Sequence, residues 1–354
     1  MKAWPDDVPG RVVRPDPQDP QDPQRAEALA ELAASGIDLD PSRTRDDRDD
    51  RSKPDHDHPH RHSEPGSPPV IGIVGAGAVG TALGVALGRA GWPVAAVASR
   101  DPGRRERFRA AVPGARAFAE AAALVDEVEL IIVAVPDDAI AVLAASLRLY
   151  SGQAMIHTSG ALGAEVLFPA MAAGTQVGAF HPLVSFADTE RAVTALRGAT
   201  IAIEGDDDLA ALLARMAEAL GAVPVRLTPG SKAAYHAAAV LAAGGFVALL
   251  DAIVELGKVA GLDEAGSMAI YGRLIEQTLG NARALGVASA LTGPIARGDV
   301  GTLDAHLAAL RASAPAVLPL YRAAAEREID LAVGRGLLAP EVSAELRRSL
   351  ASAG

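Results

Sequence analysis

One glycine-rich turn constrains this chain more than any other feature. Residues 71–80 read Ile-Gly-Ile-Val-Gly-Ala-Gly-Ala-Val-Gly. Val70–Val74 is a continuous apolar run that reads as a buried strand. Thr81–Ala90 has helical periodicity and stops at Gly91, a good helix terminator. A G-x-G-x-x-G spacing between strand and helix has a defined mechanism. Gly75 permits the tight turn, Gly77 lets the backbone approach a diphosphate, and Gly80 lets helix and strand pack closely. The free N–H groups of Ala78, Val79 and Gly80 would then face the phosphates. The competing reading is a glycine-rich turn that binds nothing.

The next strand, Val94–Ala98, ends in Ser99-Arg100, followed by Arg104 and Arg105. Binders of NAD place an acidic residue at that strand end to hold the ribose 2′-hydroxyl. A hydroxyl and a guanidinium suit a 2′-phosphate instead, so NADP(H) is expected over NAD(H), with Ser99 and Arg100 as contacts. Alternatively these are surface arginines and Asp101 meets the ribose. A helix follows near Arg104–Ala111 and a strand at Glu129–Val135; Val135 and Pro136 at its end are expected to line the nucleotide. Ala139–Leu147 reads as helix, and Ala154–His157, Gln176–Phe180, Thr200–Ile203 and Val223–Leu227 as strands.

This alternation predicts an α/β fold, a Rossmann doubly wound parallel sheet followed by an all-α C-terminal domain. The expected division is a disordered tail (1–68), a nucleotide-binding domain (69–229) and a helical domain (230–354). The tail is rich in Pro, Asp, Arg and His and lacks apolar periodicity. Gln24–Ser35 reads as a short helix, and the His56–His62 run as a solvated tract that picks up metal only adventitiously.

Composition excludes several functions. The net charge of −11 repels phosphate backbones, so nucleic acid is not an expected partner. The absence of cysteine excludes disulfides, thiolate metal sites and a cysteine nucleophile. Met1–Gly10 carries Pro and Asp where a signal peptide would be apolar, so a cytoplasmic protein is expected. Ala233–Leu250 is almost uncharged and near membrane-spanning length, but it is mostly Ala and contains His236 and a glycine pair. A buried helix is the preferred reading, with no membrane.

The catalytic candidates follow. Lys232, Tyr235 and His236 open the long apolar helix, and residues four apart share a helix face. In the first turn the helix dipole disfavours a cation, so a partly buried Lys232 would be tuned toward proton transfer. Hydride addition to a carbonyl leaves an alkoxide that an ammonium can protonate. The alternative is a solvated lysine and a core histidine. His157-Thr158-Ser159-Gly160 and Phe180-His181-Pro182 follow strands, where sites of open α/β sheets gather. Ser159 and His181 are thus substrate or nicotinamide contacts, with turn capping as the other reading. Thr292 and Arg297 lie in an interhelical loop, Leu291–Asp299, where Arg297 would grip a carboxylate or else pair with Asp299.

Through GAGAVG, HTSG (157–160), FHPLVSF (180–186), KAAYHAAA (from 232) and LTGPIARGD (291–299), the chain resembles bacterial Rossmann-like proteins with a C-terminal domain of unknown function. They belong to the superfamily of 6-phosphogluconate dehydrogenase, 3-hydroxyisobutyrate dehydrogenase, ketopantoate reductase and pyrroline-5-carboxylate reductase. The resemblance spans roughly Pro69–Leu310. It implies a catalytic lysine at the start of the long helix with a polar partner four residues on, positions held by Lys232 and His236. It also implies a homodimer through the helical domain. Where similar sequences carry an Asn near Gly244, Ala243-Gly244-Gly245 has no amide.

The expected function is an NADP-dependent oxidoreductase on a small carboxylate substrate, reducing a keto acid, ketopantoate-like, or oxidising a hydroxy acid. Lys232 would be the acid/base, Ser159 and His236 orienters, and Arg297 the anchor. An imine reductase of the pyrroline-5-carboxylate reductase type is the near alternative, disfavoured because an iminium needs no ammonium donor. A non-catalytic NADP(H)-binding sensor is the other class.

Overall fold

The computed structural model describes residues 67–352, apart from 172, 173 and 229. The tail up to residue 66, with the helix expected at 24–35 and the His56–His62 run, lies outside the described residues. The chain divides into two compact units at Ala239 and Val240.

The first unit is built on one sheet of eight strands. They are β1 (Ile71–Val74), β2 (Val94–Ala98), β3 (Arg116–Phe118), β4 (Leu130–Val133), β5 (Ala154–His157), β6 (Gln176–Pro182), β7 (Thr200–Glu204) and β8 (Val223–Arg226). Their spatial order is β3-β2-β1-β4-β5-β6-β7-β8. β1, β4 and β5 are buried along their whole length, as strands covered on both faces must be. Alternate side chains feed two apolar layers. One holds Ile71, Ile73, Leu83, Phe108, Phe180 and Met216. The other holds Val74, Ile131, Val133, Met155 and Leu167. After β3 the chain crosses to the other side of β1. The gap between β1 and β4 is therefore the topological switch point, where ligands of such sheets bind. The doubly wound α/β class expected from the sequence is the one observed.

Three local expectations are corrected. The first helix starts at Ala78, directly after the glycine turn, rather than at Thr81. β3 was not foreseen; at three residues on a sheet edge it is too short to carry a periodic signal. Finally, β7 runs antiparallel to β6, against the expectation of an all-parallel sheet. The link between them holds only the seven-residue helix Thr189–Ala195, about 10 Å long. That helix packs beside Ala78–Arg89, and Glu190 takes a two-pronged bond from Arg89 at 3.0 and 3.2 Å. The chain thus never regains the far end of the sheet and enters β7 from the end where β6 stops.

The second unit consists of helices, chiefly Phe246–Val259, Glu264–Leu285, Val300–Ser313, Leu318–Gly334 and Pro340–Ser352. Asp263 and Asp299 cap two of them by accepting the Gly266 and Thr302 backbone N–H groups. Its main core is Leu303, Leu307, Ile329 and Leu346. The Ala233–Leu250 stretch is helical, but the expectation of burial is overturned. Lys232–Val259 has the length and hydropathy of a membrane-crossing helix, yet 11% of its apolar window is buried. Leu241, Phe246, Val247 and Leu249 are exposed. The physical reason is that the second unit draws its main core from residues 295–350, so that core does not include the apolar side chains of the long helix. A π-helical turn, Leu241–Gly245, interrupts it.

Candidate active site

The glycine turn forms the first half of the site. Gly75 has φ +109°, where other residues are strained, and a Cβ there would overlap the Ala134 carbonyl oxygen. A Cβ on Gly80 would overlap the Gly75 carbonyl oxygen, so helix and strand meet backbone to backbone. Gly77 differs: nothing lies within 4 Å of where its Cβ would stand. It is the N-cap of Ala78–Arg89, with no side chain capping the helix and no acidic residue in the first turn. The N–H groups of Ala78, Val79 and Gly80 are therefore left to a ligand. The Val135 side chain packs beside Gly75, and Pro136 starts the helix Asp137–Ser146. An open, uncapped helix start at the switch point fits a diphosphate.

At the end of β2, Ser99 is half-buried and Arg100 exposed. Arg105 bonds the Ser99 and Arg100 carbonyl oxygens at 2.5 and 3.2 Å, which folds it back under the turn. The Asp101 carboxylate caps the helix Pro102–Ala111 by accepting the Arg104 N–H at 2.9 Å. It is thus committed to the helix, and Arg100 is left facing outward.

The second half gathers at the ends of β5, β6 and β7. His157 of β5, Ala179 of β6 and Glu204 of β7 stand in one cross-strand row. His157 is fully buried, and its Nε2–H donates to the Gly163 carbonyl at 2.9 Å. Its Nδ1 accepts the Ser159 N–H at 3.2 Å. Acceptance at Nδ1 requires the neutral ring, and burial pulls its pKa down from 6.5 to about 4. Ser159 Oγ accepts the Ala161 and Leu162 N–H groups at 3.1 and 3.0 Å. Its lone pairs shape the turn while its hydroxyl hydrogen stays available. Gly160 then lies so close to the next helix that a Cβ would overlap the His236 ring and stand 2.7 Å from His181 Nε2.

Lys232 begins the helix Lys232–Val240 and is only 5% exposed. Its Nζ lies 3.3 Å from Glu204 Oε1, an ion pair whose alignment falls short of a hydrogen bond. Among the described residues six buried polar side-chain atoms have no hydrogen-bond partner, and four of them gather here: Lys232 Nζ, His181 Nδ1, Tyr235 Oη and His236 Nδ1. The His181 ring meets Tyr235 and His236 edge-on at 5.8 and 5.6 Å. Burial lowers His181 to about 4, with the Lys232 and His236 charges adding, and burial raises Tyr235. Orphaned buried polar groups are costly, so a cluster of four signals a missing partner. It presents an ammonium, a phenol and two imidazoles, a set suited to a carbonyl or alkoxide oxygen.

Of the residues picked out in the sequence, Ser159, His181, Lys232, Tyr235 and His236 come together. Thr292 and Arg297 belong to the second unit and are exposed. There Arg297 ends a short turn, Ile295–Arg297, and Asp299 accepts the Thr302 N–H and hydroxyl at 3.0 and 2.7 Å. Glu204 was missed, because nothing in its neighbourhood along the chain ties it to Lys232.

Comparison with known proteins agrees with this architecture. Residues 59–182 match a Rossmann-like domain and residues 199–328 match DUF2520, a domain of unknown function. The resemblance drawn from the motifs is thereby borne out. Among solved structures the chain is similar to a Bacteroides fragilis protein assigned as an NADP oxidoreductase, at 25% identity and TM-score 0.59, covering 74% of this chain and 98% of that one. It is also similar to a Thermotoga maritima protein at 25% identity and TM-score 0.52, covering 80% and 99%. A reductive aminase from Aspergillus terreus, in complex with NADPH and ethyl levulinate, shares the fold at 19% identity and TM-score 0.58, covering 80% and 99%. No curated protein matches the chain.

Proposed function

From the matches of residues 59–182 to a Rossmann-like domain and of residues 199–328 to DUF2520, we propose that the chain is an NADP(H)-dependent oxidoreductase acting at a C=O or CH–OH group. The observation that carries this reading is the buried Lys232 ammonium, without a hydrogen-bond partner, among the orphaned polar atoms of His181, Tyr235 and His236. The Bacteroides fragilis relative, assigned as an NADP oxidoreductase, supports the cofactor and the reaction class.

Gly75, Gly77 and the N–H groups of Ala78, Val79 and Gly80 hold the diphosphate, Val135 and Pro136 border it, and Ser99 with Arg100 receives the 2′-phosphate. When bound there, NADPH would supply the hydride. The chain supplies the rest. Lys232 gives a proton to the oxygen of the carbonyl as the carbon is reduced, or takes it back in the oxidative direction. His236, Tyr235 and the Ser159 hydroxyl orient that oxygen, and the uncharged His181 offers a hydrogen bond without adding a second positive charge. The substrate is a small keto or hydroxy acid, ketopantoate-like in size.

The protein works in the cytoplasm, as a homodimer through its helical unit. Support for the dimer is the run of exposed Val247, Ile270, Leu274, Leu279, Leu285 and Val287 in that unit. The enzyme reading is tested with Lys232→Met. Turnover of the best carbonyl acid falls by about 100-fold or more, while NADPH affinity stays at the wild-type value. A variant that turns over like wild type would overturn it, and wild type that binds NADPH but reduces no carbonyl acid would make the chain a sensor.

A further inference from the structure

A buried ammonium needs a counter-charge, and its source here lies outside every motif in the sequence. We propose that Glu204 is the positioning residue of this site, holding Lys232 charged and in place at the pocket. The inference rests on the reading of Lys232 as proton donor.

The geometry carries it. Glu204 Oε1 stands 3.3 Å from Lys232 Nζ, with the two side chains 19% and 5% exposed. The other oxygen, Oε2, accepts the Ala164 N–H at 2.8 Å. Ala164 follows Gly163, whose carbonyl holds His157. The carboxylate therefore ties the loop that carries Ser159 and Gly160 to the helix that carries Lys232, Tyr235 and His236. The backbone at Glu204 is itself pinned. A Cβ on Gly178 of the adjoining strand would overlap the Glu204 carbonyl oxygen, so the strands approach more closely than any other residue allows.

The charges around Lys232 leave the task to Glu204. His157 faces it from β5 and His181 from β6, and each keeps its neutral ring down to about pH 4. Tyr235 and His236 come from the lysine's own helix. Glu204 is the carboxylate within ion-pair distance among the described residues. Moving an unpaired ammonium from water into such a site is strongly unfavourable, whereas an amine beside a carboxylate retains its proton. After Lys232 gives its proton to the substrate oxygen, the replacement comes from water, which reaches the partly exposed Glu204.

The test compares wild type with Glu204→Gln, Glu204→Asp and Lys232→Met. Gln keeps the shape and an acceptor for Ala164 but removes the charge. Glu204→Gln is expected to retain its circular dichroism and its NADPH affinity, since the glycine turn is untouched. The alkaline limb of its pH–rate profile drops by about one pH unit or more, and Glu204→Asp recovers part of that shift. A second readout needs no turnover. The chain has four lysines, Lys2, Lys53, Lys232 and Lys258, so carbon-13 lysine labelling gives four signals, and the one lost in Lys232→Met is Lys232. That signal titrates at lower pH in Glu204→Gln than in wild type. Wild type without turnover would count against the proposed function alone, because the labelled signal still reports on Glu204. Coincident titrations of the Lys232 signal in wild type and Glu204→Gln would overturn the positioning role. Should the Gln variant fail to fold, Glu204→Asp read by the same signal decides the matter: an unmoved titration overturns the role, and a downward shift supports it.

Discussion

Two glycines of one turn should fail in opposite ways when each gains a methyl group. Gly75→Ala places a Cβ on a residue at φ +109° and into the Ala134 carbonyl oxygen. No side chain can rotate out of the way, since both partners are backbone. The dihedral alone costs about 1–3 kcal/mol, and the overlap adds to it. For a folded unit of this size the melting temperature should fall by about 3–10 °C. Gly77→Ala meets nothing within 4 Å, and Gly77 has φ −81° and ψ −169°, which alanine adopts freely. Its cost without ligand is the few tenths of a kcal/mol that separate Gly from Ala at an N-cap, up to about 1 kcal/mol. Its methyl group, however, points into the space through which a diphosphate approaches the Ala78–Gly80 N–H groups. NADPH affinity should therefore drop by tenfold or more, about 1.4 kcal/mol, in a protein of nearly wild-type stability. Thermal unfolding without ligand, followed by calorimetric titration with NADPH, separates the two effects. If Gly77→Ala bound NADPH as tightly as wild type, the diphosphate would not lie against this turn and the cofactor assignment would fall with it.

Other outcomes follow from the same geometry. Arg100→Ala should weaken NADPH binding about tenfold or more, by loss of a charge-assisted bond, while leaving NADH binding unchanged; titration with both coenzymes checks this. The depressed pKa of His157 ties stability to pH: the unfolded ring gains a proton near 6.5 and the folded ring only at about 4. Its contribution, roughly 3 kcal/mol, is whole above pH 6.5 and is lost as pH falls toward 4. Denaturant titrations of wild type and His157→Gln should thus converge across that window. Ile270→Glu combined with Leu274→Glu, on an exposed apolar stretch of the helix Glu264–Leu285, should convert a dimer to monomer by light scattering with the helix content retained.

What could be read from the sequence was whatever is local. The strand, the glycine spacing and the helix start lie within ten consecutive residues, so the turn at Gly75–Gly80 was legible in full. Lys232, Tyr235 and His236 were legible because helix geometry alone puts them together. Ser159 was half legible: its position after a strand marked it, but its two bonds to the Ala161 and Leu162 N–H groups depend on a turn that only the fold defines. The Lys232–Glu204 pair was out of reach. It joins residues from two elements, and it depends on β7 running against β6, which the alternation of strands and helices argued against. The exposure of Phe246 and Val247 was hidden for a similar reason, because an apolar stretch does not tell which elements of the fold pack on it.

The direction of β7 has one more effect. Side chains along a strand point alternately to opposite faces, so sliding β7 by a single position against β6 would replace the carboxylate at the end of the row by Ile203. Insertions and deletions in the connection 183–199 are therefore tolerable only if they leave that parity intact. The connection can change length so long as that register holds, whereas a one-residue slip of the strand would put Ile203 where the carboxylate stands and send the buried side chains of Ile201 and Ile203 to the opposite face.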